Sequence, residues 1–244
     1  MKIKTKEMPY EQVMALPRPE HRDPVRPNLF FRTLVRAAAA GDLKDAQFSF
    51  TTERMEELGE GPYLILMNHS SFIDLEIVSR VMYPKPYCIV CTSDGFVGKE
   101  WLMRQIGCIP TNKFVSDLER IGDMKQALDR GCSVLLYPEA SYSFDGTATP
   151  LPRGMGVMLK RLKVPVVGIF TRGAFSRDPL YNCLQKRPVK VSATARCLLT
   201  REEIKTLSVP ELDERLDEMF SFDNFAWQRD NGVVIDAPFR ADGL

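Results

Sequence analysis

Histidine is scarce in this chain, which has only His21 and His69. His69 stands five positions before an aspartate in Asn68-His-Ser-Ser-Phe-Ile-Asp74. Imidazole is the side chain that most readily takes and returns a proton near neutral pH. A carboxylate bonded to one ring nitrogen fixes the tautomer and stabilises the imidazolium. The other nitrogen is then free to remove a proton from a hydroxyl, which contributes about 10²–10⁴ in rate. This is triad logic without an enzyme nucleophile, because a substrate alcohol attacks directly. Five residues is a poor separation for two groups on one helical face. The pair therefore requires His69 in a turn just before a helix, with its ring folded back toward Asp74. A plainer reading stays open: Ser70 and Ser71 as helix caps, and Asp74 as an acid favoured near a helix N-terminus.

Three further blocks follow. Gly107-Cys-Ile-Pro-Thr-Asn-Lys113 reads as a short strand ending in a loop that presents Lys113. That lysine is either a point charge for a phosphate or a solvated loop residue. Tyr137-Pro-Glu-Ala-Ser-Tyr-Ser-Phe-Asp-Gly146 places Glu139 at a strand end. Glu139 there binds acceptor hydroxyls or partners a loop amide, and Ser141, Tyr142 and Ser143 add hydroxyls to the same rim. The loop then reaches Arg153, which begins a helix. Val164-Pro-Val-Val-Gly-Ile-Phe170 is a buried strand with no chemistry of its own. No G-x-S-x-G motif is present, which argues against a serine-nucleophile hydrolase.

The elements that must position these blocks alternate. Short β-branched runs predict strands at Gln47–Thr52, Tyr63–Met67, Tyr87–Cys91, Ser133–Tyr137, Val166–Thr171 and Val189–Ala195. Amphipathic segments predict helices at Ser71–Met82, Lys99–Ile106, Ser116–Arg130, Arg153–Leu162 and Pro210–Phe220. This alternation implies an α/β fold: a single domain with a mostly parallel central sheet flanked by helices. In such sheets the site gathers at the carboxyl ends of the strands. Residues 1–41 read as a proline-rich irregular arm followed by a basic amphipathic helix that Asn28 caps and Gly41 ends. That helix, with Leu29, Phe30, Phe31, Leu34 and Val35 among arginines, packs on the core or lies in a membrane interface. Residues 42–200 form the main domain and 201–244 a helical extension.

Taken in order, the four blocks resemble the glycerolipid acyltransferase family, whose type members acylate 1-acylglycerol-3-phosphate. The likeness covers about residues 47–196. The family's histidine, four residues, aspartate signature matches His69 to Asp74. Its proline-glutamate-glycine block looks like Pro138-Glu139-Ala140. The resemblance implies an acyltransferase-like fold, with His69 as general base and Asp74 orienting it. It also implies acceptor contacts from Glu139, Ser141 and Asn68, and phosphate contacts from Lys113 and Arg153. The implied partners are an acyl-CoA or acyl carrier protein donor and a lysolipid acceptor, with no metal or prosthetic group. This sequence departs from the family in two places. Lys113 stands where the family usually has arginine, and Ser141 and Tyr142 occupy positions where an arginine is common. A lysine keeps the charge but loses the bidentate fork suited to phosphate. An acceptor with a larger headgroup, or without a terminal phosphate, fits those losses.

Composition bounds the alternatives. The chain has 244 residues, 44% of them hydrophobic, and a formal net charge of +1. No global field favours nucleic acid. No apolar run approaches the roughly 20 residues that cross a bilayer. Six cysteines without a second metal-ligand pair read as free thiols. The first residues lack the apolar core of a secretory signal. A reducing cytosolic location is the default expectation, with peripheral contact on the inner face of the membrane. A thioesterase-like hydrolase and a non-catalytic lipid-binding protein remain competing readings.

Overall fold

The computed structural model describes residues 7–15, 21–112, 118–179 and 186–236. Its centre is a seven-stranded sheet of β1 (Ser49–Glu53), β2 (Leu64–Met67), β3 (Tyr87–Thr92), β4 (Cys108–Thr111), β5 (Ser133–Leu136), β6 (Val166–Arg172) and β7 (Ser192–Leu199). The strand order is β1-β7-β6-β2-β5-β3-β4. Only the β6–β7 pair is antiparallel. β2 is an unbroken apolar run, Leu-Ile-Leu-Met, buried on all four residues. A strand covered on both faces reads in this way.

Ten α-helices complete the described residues: α1 (Tyr10–Met14), α2 (Leu29–Asp45), α3 (Ile73–Met82), α4 (Glu100–Gln105), α5 (Leu118–Asp129), α6 (Met155–Leu162), α7 (Ala174–Arg177), α8 (Arg201–Thr206), α9 (Val209–Met219) and α10 (Asn224–Asp230). They cover both faces of the sheet. Leu64 and Leu66 of β2 pack into one core with Met155 and Leu159 of α6 and Leu212 and Leu216 of α9. Ile65 and Met67 point the other way, into a core with Ala39 and Leu43 of α2 and Ile73 and Ile77 of α3. Truncating Leu66 to alanine would cost about 2–5 kcal/mol. None of these helices is long and apolar enough to cross a membrane.

The structure departs from expectation at several elements. α2 does not stop at Gly41, because Ala39 and Leu43 bury on either side of it. Asn28 does cap it, accepting from Phe31 N at 3.0 Å. The 41/42 boundary therefore falls inside one helix. β7 runs to Leu199, past the arginine that interrupts its apolar run. Arg196 is accommodated by stacking 4.4 Å over the Phe170 ring and donating to Met219 O, an instance of a long cation covering apolar surface. The C-terminal helices are no appendage: Ile204, Leu212, Leu216 and Phe220 are part of the main core. Capping boxes at Thr200/Glu203 and Ser208/Glu211 start α8 and α9. The N-terminal arm is irregular over residues 21–28, but is tied down where Arg130 bonds Pro24 O and Asp23.

Candidate active site

The site lies at the carboxyl edge of the sheet, where β2, β5 and β6 end side by side. After β2 the chain reaches Asn68, whose side chain is fully buried. Thr171 N donates to Asn68 Oδ1 at 2.8 Å, and Asn68 Nδ2 donates to Thr171 Oγ1 and Ser70 Oγ, each at 3.0 Å. The Asn68 amide is consumed in locking the end of β2 to the end of β6.

His69 comes next, in the turn before α3, and Asp74 lies in the first turn of that helix. His69 Nδ1 is 3.1 Å from Asp74 Oδ2. The same oxygen accepts from Ser70 N at 2.7 Å and Ser71 N at 3.0 Å. One carboxylate oxygen thus gathers the turn and orients the imidazole. Asp74 is wholly buried, whereas the His69 side chain keeps 14% of its surface exposed. Among the described residues nothing bonds His69 Nε2, the nitrogen that is left to meet a hydroxyl.

The ring is held on both faces. The Tyr137 ring stacks on it at 3.8 Å between centroids and 20° between planes, and the Tyr142 ring at 3.7 Å and 26°. Phe72 backs Tyr142 at 5.6 Å. Burial pushes the Tyr142 phenol up to about 12, aided by Asp74 and Asp178. Burial, then Asp74, raises Tyr137 well above the ordinary phenol range. Both walls are therefore neutral at working pH. The sequence marks Tyr142 only for its hydroxyl and Tyr137 only as the end of a strand; what meets His69 in each is the ring face.

Glu139 does not open onto the site. Its Oε2 accepts from His69 N at 3.3 Å, and its Oε1 accepts from Thr149 N at 2.8 Å and Thr149 Oγ1 at 3.2 Å. The loop-amide reading of this residue is the one the geometry favours. Burial raises its carboxyl, and the amides of Thr149 and His69 oppose that rise. Ser143 N adds a 2.7 Å bond to His69 O. The Glu139 loop thus grips the histidine by both its backbone groups.

A family model described as Acyltransferase matches residues 49–172, half of the chain. The chain belongs to the Acyltransferase family. It is 27% identical over 116 residues to a curated relative, the chloroplastic 1-acyl-sn-glycerol-3-phosphate acyltransferase BAT2 of Brassica napus. That match covers 46% of this chain and only 33% of the relative's length. The fold is shared with the crystal structure of PlsC from Thermotoga maritima, a 1-acyl-sn-glycerophosphate (LPA) acyltransferase. The TM-score is 0.63 over 84% of this chain and 81% of that one, at 14% identity.

Among the described residues, no lysine or arginine contacts the His69 ring. Lys113 lies outside the described residues. Arg153 is exposed and borders a cavity of about 60 Å³ with Asp213 and Asp217 of α9. That cavity is lined by α6, α9 and the loop before α6. Ser141 is exposed, and its Oγ donates only to Glu139 O, at 3.4 Å. A larger cavity of about 310 Å³, between α2 and Arg80 of α3, also excludes His69. Phe72, which contacts Tyr142 beside His69, is an exposed apolar side chain, as are Leu75 and Phe144 elsewhere on the surface.

Proposed function

We propose that this chain transfers a fatty acyl group from a thioester, acyl-CoA or acyl carrier protein, to a hydroxyl of a lysophospholipid or 1-acylglycerol-3-phosphate. The observation that carries the proposal is the 3.1 Å contact between His69 Nδ1 and the buried Asp74. Asp74 holds the imidazole with Nε2 outward. Nε2 takes the proton of the acceptor hydroxyl as its oxygen attacks the thioester carbonyl. The C–S bond then breaks, and the departing thiolate receives a proton from the imidazolium. No step needs a metal or a prosthetic group. The hydrogen bonds and ring contacts around His69 include no lysine or arginine among the described residues. Lys113, Ser141 and Tyr142 in place of the family's usual arginines favour an acceptor recognised less by a terminal phosphate than by its apolar part.

The acceptor is taken to be met at a membrane surface. Phe72, exposed and in contact with Tyr142 beside His69, offers an apolar surface there. A second exposed apolar group joins α2 to α4: Phe30 is 68% and Trp101 67% exposed, and Phe31 lies 5.8 Å from Trp101. Exposed apolar patches of this kind mark interaction surfaces, and tryptophan suits the bilayer interface. Peripheral contact with the inner face of the membrane is the location this reading assigns. The five described cysteines are free thiols, in keeping with a reducing compartment.

Labelled acyl-CoA and acyl carrier protein, offered with a panel of lysolipids, test the reading. Acylated lysolipid is expected from the wild type, with His69→Ala slower by at least about 10². Asp74→Asn is expected to fall similarly, because the amide keeps the turn but not the imidazolium's counter-charge. Full activity in His69→Ala would remove the mechanism. Free fatty acid released regardless of lysolipid would make the chain a hydrolase, and lipid binding without turnover a carrier.

A further inference from the structure

We propose that the cavity between α2 and α3 binds a phosphate monoester, held by Arg36, Lys44 and Arg80. The site is separate from the turn that carries His69 and does not depend on the acyl-transfer reading.

The cavity has a volume of about 310 Å³ and is lined by Arg36, Ala40, Leu43, Lys44, Phe48 and Arg80. Cations make up half of that lining, and no acid belongs to it. Among the described residues none of these cations makes an ion pair; Arg36 stacks its guanidinium 4.2 Å over the Tyr83 ring. The neighbouring acids do not supply the missing charge. Asp42 pairs with Arg177 and Lys186, Glu76 lies beside Asp42, and Asp45 is not a lining side chain. Like charges that share one cavity repel, so an anion completes the arrangement. Lys44 and Arg80 lie in the last turns of α2 and α3, where cations suit the helix dipole. That preference fades within one turn and does not bring Arg36, two turns earlier, to the same cavity.

The charge selects the ligand. A carboxylate brings one negative charge and is satisfied by one guanidinium. A phosphate monoester carries about −1.5 to −2 charge and three acceptor oxygens. That is enough for two arginine forks and the point charge of a lysine. Ala40, Leu43 and Phe48 leave an apolar wall for the carbon that bears the phosphate. A volume of about 310 Å³ is at the small end of ligand pockets, so the cavity takes a headgroup-sized molecule rather than an acyl chain. Arg80 lies near the far end of α3 from Asp74, and six residues of helix separate the two by about 9 Å along the axis. The phosphate held here is thus set apart from the hydroxyl that would meet His69 Nε2. Two sources share this chemistry: the headgroup of a phosphatidic-acid-type lipid and a soluble phosphoester.

The test compares the full chain with a variant carrying Lys44→Gln and Arg80→Gln, both at exposed positions. A control carrying Arg161→Gln and Arg201→Gln removes the same charge from other exposed positions. Calorimetric titration with sn-glycerol 3-phosphate reads the soluble source. Sedimentation with phosphatidylcholine vesicles, with and without phosphatidic acid, reads the lipid source. The expected result is saturable binding in at least one arm, with a Kd at or below about 1 mM in the titration. It should weaken about tenfold or more in the Lys44/Arg80 variant, the scale of one lost charge-assisted bond, and much less in the control. Binding in the titration alone assigns a soluble ligand, and binding to phosphatidic acid vesicles alone assigns a headgroup; either supports the site. No saturable binding in either arm overturns the proposal, as does equal weakening in the variant and the control. Acetate is expected to bind at least about tenfold more weakly than glycerol phosphate, and equal affinity would overturn the choice of phosphate. If the double variant does not fold, Arg80→Gln alone replaces it under the same criterion. None of these measurements involves acyl transfer, so failure here leaves the proposed function standing, and failure of the acyl-transfer assays leaves this site standing.

Discussion

Glu139 holds His69 by the backbone: the histidine amide lies 3.3 Å from Glu139 Oε2, while Oε1 is bonded to Thr149. Parallel pairing of β2 with β5, Leu66 opposite Leu136, brings the two loops together. The carboxylate that resembles an acceptor ligand braces His69, the proposed general base. Removing it strands two amides in a buried place. Glu139→Ala is expected to cost about 2–3 kcal/mol and to lower the melting temperature by about 5–10 °C. Acyl transfer should fall with it, because the imidazole loses its support. Thermal unfolding beside an activity assay checks both, and a variant of wild-type stability would refute the bracing role.

Ala140, next in the chain, has φ of 55°. The left-handed region is unfavourable for a residue with a Cβ. Ala140→Gly is expected to stabilise the fold, by about 0.5–1 kcal/mol after allowing for the greater freedom of glycine in the unfolded chain. A melting temperature unchanged or lowered would contradict this.

Glu76 of α3 lies beside Asp42, which is paired with Arg177 at 2.6 Å and Lys186 at 2.6 Å. Burial, then the charge of Asp42, pushes the Glu76 carboxyl up to about 7. A carboxyl raised in the folded state contributes stability fully below its unfolded pKa, and loses it as pH climbs toward the folded value. Stability should therefore decline between about pH 4.5 and 7 on account of this group. Glu76→Gln is expected to flatten that decline and to be the more stable form at pH 8. Melting curves across this range check it, and parallel profiles for both proteins would exclude the effect.

Vesicle sedimentation addresses the membrane surface. Cutting the chain at residue 41 would sever α2, whose Leu43 is buried in the core, so point substitutions serve better. Phe30→Ser with Trp101→Ser is expected to weaken binding to anionic vesicles several-fold while leaving the melting temperature within a few degrees. Undiminished binding would assign membrane contact to another surface, the exposed Phe72 beside Tyr142 first.

Several features of this protein were determined by its local sequence. The apolar run of β2, the alternation of strand and helix, the four ordered blocks and the His69–Asp74 pairing all follow from short-range pattern. Apolar period and turn chemistry act over a few residues, and a turn followed by a helix sets positions 69 and 74 within reach of each other. Other features needed tertiary packing. Nothing near Tyr142 in the chain indicates that its ring will lie on His69, and nothing near Glu139 indicates that Thr149 and the histidine amide will take its oxygens. Arg153 and His69 belong to blocks that look alike in purpose, yet one leads into α6 and the other into α3, which pack on opposite faces of the sheet. The direction of such side chains is set by strand register and by which helix covers which face, and those are properties of contacts between segments far apart in the chain.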